Sequence, residues 1–176
     1  MRKVKETDPL SAGFKMLARR PYSVAEFRRA LERKCGATAA VHEAVNHLRQ
    51  LGYLDDKKFA EQTAYSLAQN RAFGPHRVRR ELKAKLVNYK FIDSAVAAAY
   101  QDSDPRQLLE KALDRKVRSL KLPVTPQKLA SLCQSLLRRG FSTGDILKAV
   151  RARAELKPVT EFVSESDLEN ERGRLE

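Results

Sequence analysis

Four apolar positions recur in phase three times along this 176-residue chain, and that recurrence limits what it can fold into. Phe27, Val78 and Leu132 align, as do Leu31, Leu82 and Leu136. With no gap, so do Val41, Ile92 and Ile146, and then Val45, Val96 and Val150. A spacing of four within each pair sets both residues on one face of a helix. Leu31 and Leu82 lie 51 positions apart, and Leu82 and Leu136 lie 54 apart. A unit of that length holds three short helices and buries only a small core by itself. The expectation is an all-α chain of three tandem three-helix, helix-turn-helix-like repeats stacked as an elongated, curved array. Their predicted spans are 8–52, 53–101 and 104–154.

Start and stop signals agree with that division. Asp8-Pro9 and Asp104-Pro105 are N-caps with proline at the first helical position, where its missing N–H costs nothing. Asp55 predicts a cap in the same place of the second unit. Ser23-Val24-Ala25-Glu26 reads as a capping box, in which hydroxyl and carboxylate each satisfy an orphan backbone N–H. Gly74-Pro75 and Thr125-Pro126 open the corresponding middle helices. Thr38 and Thr143 predict the starts of third helices, Pro21 the end of the first segment, and Gly52 a left-handed C-terminal stop.

Charge narrows the partners. The net charge is +13, unevenly spread. From Glu155 onward stand seven acidic and three basic residues, leaving 32 basic against 15 acidic before it. A field of that size favours polyanions. The acidic stretch 155–176 has no sustained apolar face and predicts a disordered tail. No apolar run approaches the ~20 residues of a spanning helix, so no membrane role is expected. The opening MRKVKETDPL lacks the apolar centre of a signal sequence. Cys35 and Cys133 form no C-x-x-C pattern and read as reduced thiols of a cytoplasmic protein.

Catalytic and metal chemistry find no footing. The glycines are isolated, so no phosphate-cradling loop exists. His42 and His47 are five apart and do not share a metal-binding face; His76 stands alone. Asp55 and Asp56, adjacent at a helix start, read as capping groups rather than an acid–base pair. No enzyme activity, metal or cofactor is expected.

The positive signal lies on the middle helices. With Phe27 and Leu31 inward, Arg29 and Arg33 point outward. In the second unit the same geometry exposes Arg77, Arg80 and Lys83, with Arg79 on the flank. Lys34, Lys85 and Arg139 share one position near the helix ends, with Arg138 beside the last. Cations there either complement the helix dipole or extend the basic face. The resulting ribbon suits phosphates, and contact with backbone or shape is expected rather than base readout.

The string Gly52-Tyr53-Leu54-Asp55-Asp56, Phe59-Ala60, Phe73-Gly74-Pro75 and Val78-Arg79-Arg80-Glu81-Leu82 resembles the central module of RecX, the bacterial regulator of the RecA recombinase. Leu17-Ala18-Arg19-Arg20-Pro21-Tyr22-Ser23, with Glu26-Phe27 and Leu31, resembles the family's opening motif. Leu136-Leu137-Arg138-Arg139-Gly140-Phe141, with Asp145-Ile146, resembles its closing one. The resemblance covers about residues 10 to 153. It implies a monomer that lies along RecA filaments and also touches single- and double-stranded DNA without sequence preference. It further implies inhibition of ATP hydrolysis, strand exchange and co-protease activity in recombination and the SOS response. A stand-alone DNA-binding helical regulator acting without RecA is the alternative. Where the family has Lys-Gly after the central middle helix, this chain reads Lys85-Leu86, and its first unit reads Lys34-Cys35-Gly36.

Overall fold

The structure, a computed structural model, describes residues 8–101, 104–120 and 124–156. Among these residues the chain is all helical, with no strand. The helices are α1 (Pro9–Leu17), α2 (Val24–Cys35), α3 (Ala39–Gln50), α4 (Asp56–Gln69), α5 (Pro75–Ala84), α6 (Tyr89–Ala99), α7 (Pro105–Val117), α8 (Pro126–Arg138) and α9 (Thr143–Arg151). A 3-10 turn, Ala154–Leu156, follows. None of these helices is long and apolar enough to cross a membrane.

The helices enclose three separate cores. The first gathers Ala12, Phe27, Leu31, Val41, Val45 and Leu48. The second gathers Phe59, Val78, Leu82, Ile92 and Val96 around buried alanines, where Ala60, Ala64 and Ala68 of α4 and Ala95 and Ala99 of α6 let those two helices pack closely. The third gathers Leu109, Leu113, Leu132, Leu136, Ile146 and Val150. None of the twelve residues aligned by the repeat is more than 7 % exposed, so the sequence period is the core period. Full burial of each large side chain contributes about 1.5–3 kcal/mol.

The caps follow the sequence with four differences. Asp8, Asp55, Asp104 and Thr125 accept from backbone N–H groups of the helices they open. Ser23 accepts from the Glu26 amide, but the reciprocal half of the capping box is missing, because Arg20 captures the Glu26 carboxylate at 2.9 Å. Thr38 occupies the N-cap of α3 without a side-chain bond. Ser142, not Thr143, caps α9, its hydroxyl accepting from the Asp145 amide. The first helix stops at Leu17, short of Pro21. Glu155 and Leu156, placed in the tail by composition, belong to the closing turn, and Leu156 is buried in the third core. The rest of the tail lies outside the described residues.

The middle helices end in left-handed residues, Gly36 (φ 86°), Leu86 (φ 58°) and Gly140 (φ 90°). Leu86 thus occupies, without glycine, the slot where the resemblance places a Lys-Gly pair. The ends of α5 and α8 also form the joints between repeats. The Ser23 hydroxyl, at the start of α2, donates to the Lys85 carbonyl at the end of α5. The Gly74 amide, at the start of α5, donates to the Arg139 carbonyl at the end of α8 at 2.8 Å, and the His76 amide donates to the Gly140 carbonyl at 3.1 Å. The three middle helices therefore meet end to end in the order α8, α5, α2, each C-terminus meeting the next N-terminus. Orphan carbonyls of one repeat satisfy orphan donors of its neighbour, and the macrodipoles run in one sense through each joint.

Candidate functional site

The joints fix which basic side chains are free. Arg29, Arg33, Lys34, Arg80, Lys83 and Arg138 are exposed on α2, α5 and α8. Among the described residues, Arg29, Arg33, Arg80 and Lys83 have no ion-pair partner, although Glu32 and Glu81 lie on the same helices. Those carboxylates are taken by Arg28 at 3.7 Å and Arg77 at 3.2 Å. With Lys34, which is likewise without an ion-pair partner among the described residues, three unpaired cations on α2 and two on α5, helices joined end to end, make a ridge of positive charge.

Other predicted residues turn out to be engaged. Arg77, expected on the outward face, is half-buried at the second joint. Its guanidinium lies 4.2 Å from the centre of the Phe73 ring and donates to the Arg138 carbonyl at 3.0 Å. The cause is the neighbouring repeat, whose α8 terminus covers one flank of α5. Arg79 donates to Asp93 of α6 at 2.8 Å. Lys85 and Arg139 are half-buried C-caps whose carbonyls serve the joints, and the Lys85 ammonium sits 6.0 Å from the Phe59 ring centre. Two cations outside the predicted set are likewise committed. The hydrogen bond that Arg20 donates to Glu26 pushes its guanidinium pKa up, and those that Arg153 donates to Glu110 and Asp114 do the same there.

Asp56 has a role that the sequence did not disclose. Asp55 caps its own helix, α4, but the Asp56 carboxylate accepts from the Val24 amide of α2 at 2.8 Å. The adjacent aspartates therefore cap helices in two different repeats. No signal in the sequence pairs positions 24 and 56. Above this joint opens a cleft of about 920 Å³ between the first and second repeats, lined in part by Arg28, His42, Arg49 and Lys90. Among the described residues no three His, Cys, Asp or Glu side chains converge as a metal site.

Comparison with known proteins places this architecture. A family model described as RecX, second three-helix domain, matches residues 55–96. The regulatory protein RecX of Stenotrophomonas maltophilia strain K279a is 33% identical over 153 residues, covering 85% of this chain and 90% of the relative. That of Trichlorobacter lovleyi is 27% identical over 136 residues, covering 77% of this chain and 88% of the relative. The crystal structure of RecX from Lactobacillus salivarius shares the fold with a TM-score of 0.69 at 19% identity, over 82% of this chain and 93% of that one. With the repeat register, the three cores and a third of the residues shared across nearly the whole of a relative, the chain belongs to the RecX family of regulatory proteins.

Proposed function

We propose that this chain regulates the RecA recombinase by binding and carries out no chemistry of its own. It docks along RecA–DNA filaments through the outward side of α2, α5 and α8, and it inhibits ATP hydrolysis, strand exchange and co-protease activity. The observation that carries the reading is the set of unpaired, exposed cations Arg29, Arg33, Arg80 and Lys83 on helices joined end to end. Unpaired cations on fixed helices neutralise a phosphate or carboxylate row without first breaking internal ion pairs. Lys34 and Arg138 extend this face at the helix ends, whereas Arg77, Arg79, Lys85 and Arg139 hold its shape. Three small cores linked by narrow joints suit a long repetitive partner, because each repeat settles against its own stretch of filament.

The test is the ATPase of RecA on single-stranded DNA with this protein at substoichiometric levels. The reading expects a falling rate. An unchanged rate and filament length, with sharp footprints on particular duplex sequences, would instead identify a stand-alone DNA-binding regulator.

A further inference from the structure

The cleft at the first joint is separate from the ridge: none of Arg29, Arg33, Arg80 and Lys83 lines it. Its walls come from α2 and α3 of the first repeat and from the start of α6 in the second. Three cations face it, Arg28, Arg49 and Lys90. Arg49 and Lys90 have no ion-pair partner among the described residues, and Arg28 is held only by Glu32 at 3.7 Å. The two carboxylates that line it are turned to backbone donors, Asp55 to the amides of Lys57 and Lys58, and Asp56 to that of Val24. The cations are thus left for an outside anion.

The exposed side of α3 adds groups of another kind, the imidazole of His42 and the amides of Asn46 and Gln50. Such amides donate and accept at once, which suits base edges and exceeds what a carboxylate or bare phosphate requires. A cleft of about 920 Å³ has the size of a small-ligand site. In a duplex the Watson–Crick edges are already paired, and only the groove edges of the bases are left to meet. A flexible strand with its bases turned out offers its phosphates and its unpaired edges to such a cleft together.

We propose that this cleft binds an unpaired nucleic-acid strand, its phosphates held by Arg28, Arg49 and Lys90 and its bases met by His42, Asn46 and Gln50. An acidic peptide would use the cations alone and leave the α3 amides idle. The site sits where two repeats meet, so a bound strand also bridges the joint made by Ser23 and Lys85.

The experiment is fluorescence anisotropy with a labelled single-stranded oligodeoxynucleotide of mixed sequence, and with the same sequence annealed to its complement. The proteins are the full chain, Arg49→Glu and Lys90→Glu, with helicity checked by circular dichroism. Should Arg49→Glu lose helicity, Asn46→Ala and Lys90→Gln take its place. Each reversal should weaken single-strand binding at least tenfold while duplex binding stays within twofold. The slope of log affinity against log salt should fall by about 0.7 for each phosphate contact removed. Unchanged single-strand binding overturns the proposal, as does equal loss for strand and duplex. Displacement of the oligonucleotide by poly-glutamate, charge for charge, would make the cleft a carboxylate site and overturn it too. Inhibition of RecA is measured in parallel, so loss of strand binding is told apart from loss of filament regulation.

Discussion

Asp56 stands in one repeat and caps a helix of another, so its loss should be felt away from where it sits. Asp56→Ala is expected to cost about 1 kcal/mol, the usual worth of an N-terminal cap. Hydrogen exchange should locate that cost at the Val24 amide and the first turn of α2; protection lost only within α4 would contradict the assignment. Ala72 carries φ 49°, a left-handed conformation that a methyl group disfavours. Ala72→Gly relieves that strain against glycine's greater chain entropy, for an expected net gain of about 0.5 kcal/mol in urea denaturation. Tyr100 donates its phenol to the Phe73 carbonyl, and burial pushes its pKa above the usual range, with Arg79 offsetting part of the shift. A folded-state pKa above the unfolded value means the contribution is intact below about pH 10 and is lost as pH rises beyond it. Tyr100→Phe should therefore flatten the alkaline fall in stability relative to the native chain. An equally steep fall would remove Tyr100 from the explanation.

The middle helices show which parts of this architecture a sequence discloses. Their inward faces were legible from a four-residue spacing, because a small helical core repeats its contacts locally and every aligned residue is buried. Their outward order was not. The joints link Ser23 to Lys85 and Gly74 to Arg139 across 62 and 65 positions, and no period marks such pairs. Arg77 was misplaced for a related reason, since helical geometry turns it outward, while Phe73 of its own repeat and the α8 end of the next engage its guanidinium. Leu86 offered a partial signal: it stands where the resemblance places a glycine, and it adopts the left-handed conformation that favours one. The second joint gives a direct test at this scale. Gly74 and Gly140 are buried against each other, and a Cβ on Gly74 would overlap the Gly140 carbonyl. Gly74→Ala should open the joint at a cost of about 2 kcal/mol or more while leaving the helices themselves formed. The expected signs are unchanged helicity and rapid exchange of the Gly74 and His76 amides. Retained protection would mean that the joint tolerates a side chain.

At the scale of the whole molecule, three cores too small to be robust alone are joined end to end, and the joints set the cation-bearing helices in line. Stability and function are therefore coupled through the same residues. Ser23 caps α2 and satisfies Lys85, Gly140 ends α8 and receives α5, and the free cations lie between these contacts on α2 and α5. A regulator built this way should lose binding when the ridge is reversed even though nothing in its cores has changed. The decisive measurement is the RecA–single-stranded DNA ATPase titrated with a chain carrying Arg29→Glu, Arg33→Glu, Arg80→Glu and Lys83→Glu, its helicity matched to the unaltered protein. The unaltered chain should suppress the rate, and the reversed chain should need at least tenfold more protein or fail altogether. Equal inhibition by both would place the contact surface elsewhere and contradict the ridge.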